Sequence, residues 1–111
     1  MISRDIRRAP PIDRCRALFD AAAAPLVEAH VTVLKPSTQA SLLREQVFLE
    51  LGFRGNEEDY YDPRNSDLTE VVDRRLGIPI TLATVMIAVG RRAGMQVHGV
   101  GFPGHFLVQV G

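Results

Sequence analysis

Apolar positions recur first at helical spacing. Cys15, Leu18, Phe19 and Ala22 follow Asp13 at i, i+3, i+4 and i+7, which predicts an amphipathic helix with Asp13 near its N-terminus. Pro25 is expected to interrupt it. A second helical pattern runs through Leu26, Val27, His30, Val31 and Leu34, weakened by the β-branched Val31, Thr32 and Val33. Lys35-Pro36-Ser37-Thr38 reads as a turn. Leu43, Val47 and Leu51 share one face of a third helix over residues 39–51, closed by Gly52 in a left-handed conformation. Residues 54–66 show no periodicity and are rich in Asn, Asp, Gly and Pro, the composition of a long ordered loop.

The pattern then resumes. Ser66 is placed to cap a helix carrying Leu68, Val71, Val72 and Leu76, with Gly77 closing it. Pro79 suits the first position of the next helix, residues 79–93, because its missing N–H has no intrahelical partner there. Ile80, Leu82, Ala83, Val85, Met86, Ile87 and Val89 point nearly all round it, so it should be the central buried helix, ended by Gly94. Two strand-like runs follow, residues 96–100 and 105–110, joined by a Phe102-Pro103-Gly104 turn and able to pair antiparallel. The fold class is α+β: a loose lead-in over residues 1–11, a helical part over 12–51, and a core over 52–111 in which a buried helix packs on a small antiparallel sheet.

Composition narrows the function classes. The 111 residues are 46% hydrophobic with 13 acids against 13 bases, which fits one globular domain and gives no long-range attraction to nucleic acid or an acidic membrane. Basic pairs at Arg74-Arg75 and Arg91-Arg92 read as solvated helix ends, and Arg4, Arg7 and Arg8 as a basic tail without the apolar run of a signal peptide. The longest nearly apolar stretch, residues 78–90, falls short of the roughly 20 residues a membrane span needs. The one cysteine, Cys15, precludes an internal disulfide and reads as a small inert core residue; no Cys/His metal spacing occurs. No cofactor is expected, and a reducing cytoplasm is the default.

Four blocks carry a family resemblance: Gly52-Phe53-Arg54-Gly55-Asn56; Tyr60-Tyr61-Asp62-Pro63-Arg64-Asn65-Ser66; Asp73-Arg74-Arg75-Leu76-Gly77-Ile78-Pro79-Ile80-Thr81-Leu82; and Gly99-Val100-Gly101-Phe102-Pro103-Gly104-His105-Phe106-Leu107-Val108. In this order they resemble the transglutaminase-like (papain-type) core, and most closely its SirB-type branch, whose longer members carry tetratricopeptide repeats. The resemblance implies a bacterial cytoplasmic protein and a nucleophilic cysteine at the start of the central helix, a histidine on the following strand, and an orienting residue on the next. Here Pro79 stands at the cysteine position, His105 matches the histidine, and the third member would come from a strand after Val110.

Three functional readings follow. In the first, the domain is non-catalytic and binds a protein or peptide in the old cleft at the N-terminus of the Pro79 helix, with Tyr60, Tyr61, Asn65 and Ser66 flanking it and His105 on its far wall. In the second, a hydrolase or acyltransferase uses the hydroxyl of Thr81 or Ser66 with His105, although Thr81 is better read as bonding a free N–H of its helix and Ser66 as a helix cap. In the third, the chain is a fragment of a longer protein without independent function. One tyrosine of the Tyr60-Tyr61 pair is expected to pack on the central helix. Asn56 and Asn65 suit side-chain-to-backbone hydrogen bonds in turns. The acids Glu57, Glu58, Asp59, Asp62 and Asp67 lack calcium-loop spacing, and His30 and His98 are given no role.

Overall fold

The computed structural model describes residues 10–102 and 105–111, with the side chains of Phe102, His105 and Phe106 outside that description. The lead-in residues 1–9 and the tip of the expected turn, Pro103 and Gly104, also lie outside it. The first helix, α1, spans Pro11–Glu28 and buries Cys15, Phe19, Ala22, Ala23 and Leu26 along one face. It does not break at Pro25. That proline sits in the last turn and is exposed, so it forfeits only its own N–H while its carbonyl still accepts from the Ala29 N–H at 3.0 Å.

The expected second helix is replaced by a tight turn. His30 adopts a left-handed conformation (φ 51°) and is followed by a single 3-10 turn, Val31–Val33, which buries Val31 and leaves Val33 exposed. Three β-branched residues in a row favour this over continued α-helix. Pro36 then starts α2 (Pro36–Arg44) rather than a free turn, because proline is tolerated at a first helical position. Its continuation, Glu45–Glu50, widens into π-helix, with the Leu51 N–H bonded to the Gln46 carbonyl at 3.0 Å. Leu43 and Val47 are fully buried on the predicted face, and Gly52 is left-handed as expected (φ 74°).

Inside the loop predicted over residues 54–66 lies a two-residue strand, β1 (Arg54–Gly55), which pairs in parallel with β2 (Leu76–Gly77). Between them run a 3-10 turn, Pro63–Ser66, and α3 (Leu68–Arg74). The cap of α3 is Asp67, not Ser66: its carboxylate accepts from the Thr69 N–H at 3.0 Å. Nor does Gly77 end the helix. Arg75 turns the chain in a left-handed conformation (φ 61°), at a cost of about 1 kcal/mol for a non-glycine residue. Two long-range contacts offset it: the Arg75 guanidinium donates to the Leu51 carbonyl at 2.8 Å and lies 5.1 Å from the Phe53 ring centre.

The central helix, α4 (Pro79–Arg92), packs on α1 and α2 and on the hairpin β3 (Val97–Phe102) and β4 (His105–Val110). The antiparallel register runs from Val97↔Val110 to Phe102↔His105. This helix buries Val85 and Val89 completely, but Ile80 in its first turn is 51% exposed. Gly90 lets β3 approach α4, since a methyl group there would meet Val97 Cγ2 at 2.6 Å and Leu43 Cδ2 at 3.2 Å. Gly90→Ala is therefore expected to destabilise the domain by about 1–3 kcal/mol in urea unfolding. Gly55→Ala, where a methyl meets nothing within 4 Å, should change stability by less than about 0.5 kcal/mol.

Candidate functional site

The first turn of α4 and the loop over residues 56–66 are joined by buried polar side chains. Asn65 is 1% exposed and all its side-chain polar atoms are used. Its amide donates to the carbonyls of Asp59 (2.9 Å) and Tyr60 (3.0 Å), while its side-chain oxygen accepts from Asn56 Nδ2 at 3.0 Å. Asn56 Oδ1 in turn accepts the Asp59 N–H at 3.1 Å, and the Asn56 N–H reaches the Gly77 carbonyl at 2.9 Å. The side-chain-to-backbone bonding expected of Asn56 and Asn65 is thus present, but its role is larger than a local turn.

Thr81 completes the connection. As the third helical residue it accepts the Ile78 N–H on Oγ1 at 3.0 Å, satisfying one of the donors a helix start leaves free. Its own proton points to the Asn65 carbonyl at 2.8 Å, with the Ile78 carbonyl at 3.1 Å as the longer alternative. Gly77 is required here, since a β-carbon on it would stand 2.7 Å from that hydroxyl. The glycine two residues before the helix is therefore a packing requirement of the Thr81 network.

Other predicted residues are arranged around this buried centre. Pro79 is the first residue of α4 and is exposed, as is Ile80 beside it. Ser66 is exposed at the end of its 3-10 turn. Neither tyrosine packs into the core as expected: Tyr60 is 54% and Tyr61 90% exposed, and their rings meet edge to face with centres 5.3 Å apart. Proximity in sequence to the buried Asn65 does not bury them, because the loop turns its carbonyls inward to the Asn65 amide. The backbone of His105 begins β4 opposite Phe102, and its side chain lies outside the described residues. Cys15 is buried on α1, and burial pushes its thiol pKa up, as suits an inert core residue. Among the described residues, no three side chains of His, Cys, Asp and Glu are grouped to hold a metal ion.

A second cluster fixes the far end of the loop, built on Asp62, which the sequence offers only as an acid outside calcium-loop spacing, and on Arg74, which reads there as a solvated helix end but is partly buried. Asp62 caps the 3-10 turn by accepting the Arg64 N–H at 3.0 Å, pairs with Arg64 Nη2 at 2.6 Å, and lies 3.5 Å from Arg74 Nη2 on α3. These bonds, those from Arg64 first, lower the Asp62 pKa from 3.8 to about 2. Arg74 Nη1 is buried without a hydrogen-bond partner, so Arg74 is held by Asp62 rather than by a full set of acceptors. An Asp-Pro-x-Asn spacing at residues 62–65 was the available signal, because aspartate before proline favours a capped turn.

With this geometry in place, comparison with known proteins decides the family. The sequence model of the transglutaminase-like superfamily matches residues 13–111. The chain belongs to the transglutaminase-like superfamily. A UPF0162 protein of Xylella fastidiosa is 43% identical over 93 residues, covering 77% of this chain and 33% of that protein. A UPF0162 protein of Vibrio cholerae is 36% identical over 63 residues, 57% of this chain and 23% of that protein. The F-box only protein 21 of Mus musculus is 40% identical over 60 residues, 54% of this chain and 10% of that protein. The chain therefore spans a third or less of the length of these relatives. No solved structure matches it. In this transglutaminase-like chain Pro79 is the first residue of α4, the position where the resemblance read from the sequence expects a nucleophile.

The depressed Asp62 pKa fixes a sign. A carboxylate held lower in the folded state than in the unfolded one stabilises the fold above pH about 4, and that contribution is lost as pH falls through about 2. Urea unfolding from pH 7 down to pH 2 should show stability falling between about pH 4 and 2. Asp62→Asn should be less stable at neutral pH and show a shallower fall over the same window. An unchanged slope would remove Asp62 from the account.

Proposed function

We propose that this transglutaminase-like domain is a non-catalytic member of the SirB-type branch that binds a protein or peptide over the start of α4. The observation that carries this reading is Pro79. It occupies the first helical position, exposed, where the family resemblance expects a thiol, and a pyrrolidine ring offers neither a nucleophile nor an N–H. What remains around it is a recognition surface: exposed Ile80, and the exposed Tyr60 and Tyr61 on a loop fastened to the same helix turn through Asn65 and Thr81. A pre-organised loop of this kind loses little conformational entropy on binding.

The rival reading, acyl transfer from Thr81 or Ser66 with His105, asks Thr81 to give up the proton that bonds the Asn65 carbonyl. Deprotonation there breaks the latch that positions the loop. Peptides selected by display from a random library on the intact domain, then mapped by amide NMR shifts, provide the test. The expected result is perturbation within residues 59–66 and 78–81, with no turnover of a panel of ester and amide substrates. Shifts confined elsewhere, or turnover abolished by Thr81→Val, would overturn the proposal.

A further inference from the structure

The exposed tyrosine pair narrows the partner's chemistry. Tyr60 and Tyr61 contribute two phenol rings to solvent at 54% and 90% exposure, and their planes stand at 84°. In this edge-to-face arrangement one ring offers its rim to the face of the other, which leaves aromatic faces open to a third group. An open tyrosine face accepts an apolar side chain or a cation, with arginine the better-stacking cation.

The neighbouring charges choose between them. Glu57, Glu58 and Asp59 lead directly into the tyrosines, all three are exposed, and none takes part in an ion pair among the described residues. The next acid along, Asp62, is already neutralised by Arg64 and Arg74. Beside the loop lies a groove of about 280 Å³ lined by Arg54, Gly55, Asn56, Glu57, Glu58 and Leu76, in which the carboxylates outnumber the single cation, Arg54. Asn56 and Asn65 hold the backbone of Asp59 and Tyr60 from beneath, so acids and rings are presented on a fixed frame. Nucleic acid is disfavoured by the same charges.

We propose that the occupant of this surface is an arginine-bearing segment of a partner protein, its guanidinium groups stacked on Tyr61 and Tyr60 and paired with Glu57, Glu58 and Asp59. The proposal rests on the binding reading above and adds the partner's chemical class. Arginine is favoured over lysine because its planar group can stack on a ring while donating to a carboxylate.

Fluorescein-labelled peptides alternating glycine with arginine, lysine or glutamate, titrated against the intact domain by anisotropy, supply the test. The arginine peptide should bind most tightly, and the glutamate peptide should not bind. Tyr61→Ala should weaken the arginine peptide by about three- to fivefold. The double change Glu57→Gln with Glu58→Gln should weaken it further and flatten its dependence on salt. All three positions are exposed, so unfolding midpoints matching wild type are expected and separate lost contact from lost fold. Equal binding of the lysine peptide together with indifference to Tyr61→Ala overturns the proposal. So does failure of the arginine peptide while library-selected peptides still perturb residues 59–66, a result that leaves the broader binding reading standing.

Discussion

The hydrogen bond from the Thr81 hydroxyl to the Asn65 carbonyl, 2.8 Å long and buried, is the contact on which the arrangement of this domain turns. It joins a loop that has almost no apolar anchorage of its own to the first turn of the best-packed helix. A neutral hydrogen bond contributes only about 1 kcal/mol net, but an unpaired buried donor or acceptor costs about 1–3 kcal/mol. Here the groups are coupled: Asn65 satisfies Asp59, Tyr60, Asn56 and Thr81, so loss of one bond exposes several partners. The network behaves as a specification of geometry more than as a source of stability.

Stability comes from elsewhere. Val71, Val85, Val89, Leu43 and Val47 are fully buried between helices, and each contributes on the order of 1.5–3 kcal/mol by leaving water. Ion pairs at the rim, Arg14 with Asp73 and Arg92 with Asp20, tie α1 to α3 and α4 at partly exposed positions where such pairs contribute little. The division places rigidity under the loop and leaves the tyrosines and Pro79 in solvent.

The sequence made the long-period features legible. The faces of α1, α2 and α4, the left-handed Gly52, the antiparallel hairpin and burial of Cys15 all follow from apolar spacing or from single residues with narrow preferences. The departures occur where local preference and tertiary contact compete. Pro25 did not end α1 because it fell in a turn already closing. Arg75, not Gly77, turned the chain because Leu51 and Phe53 hold its side chain, a contact 24 residues away that no local pattern encodes. At the site, Pro79, Asn65 and Thr81 could be named from spacing and resemblance. That Asn65 and Thr81 share a bond could not, nor could the exposure of both tyrosines, since each depends on how the loop closes over β2.

The Thr81 side chain, through the Asn65 carbonyl, holds the loop to the start of α4. Hydrogen exchange of backbone amides in Thr81→Val, which removes the hydroxyl and keeps the side-chain shape, compared with wild type, tests this most directly. The account predicts faster exchange at Asp59, Asp62 and Ile78, whose N–H groups lie in or beside the network, with Val85 and Val89 unchanged. Protection at all three amides equal to wild type would contradict it, because the loop would then be held by something other than this side chain.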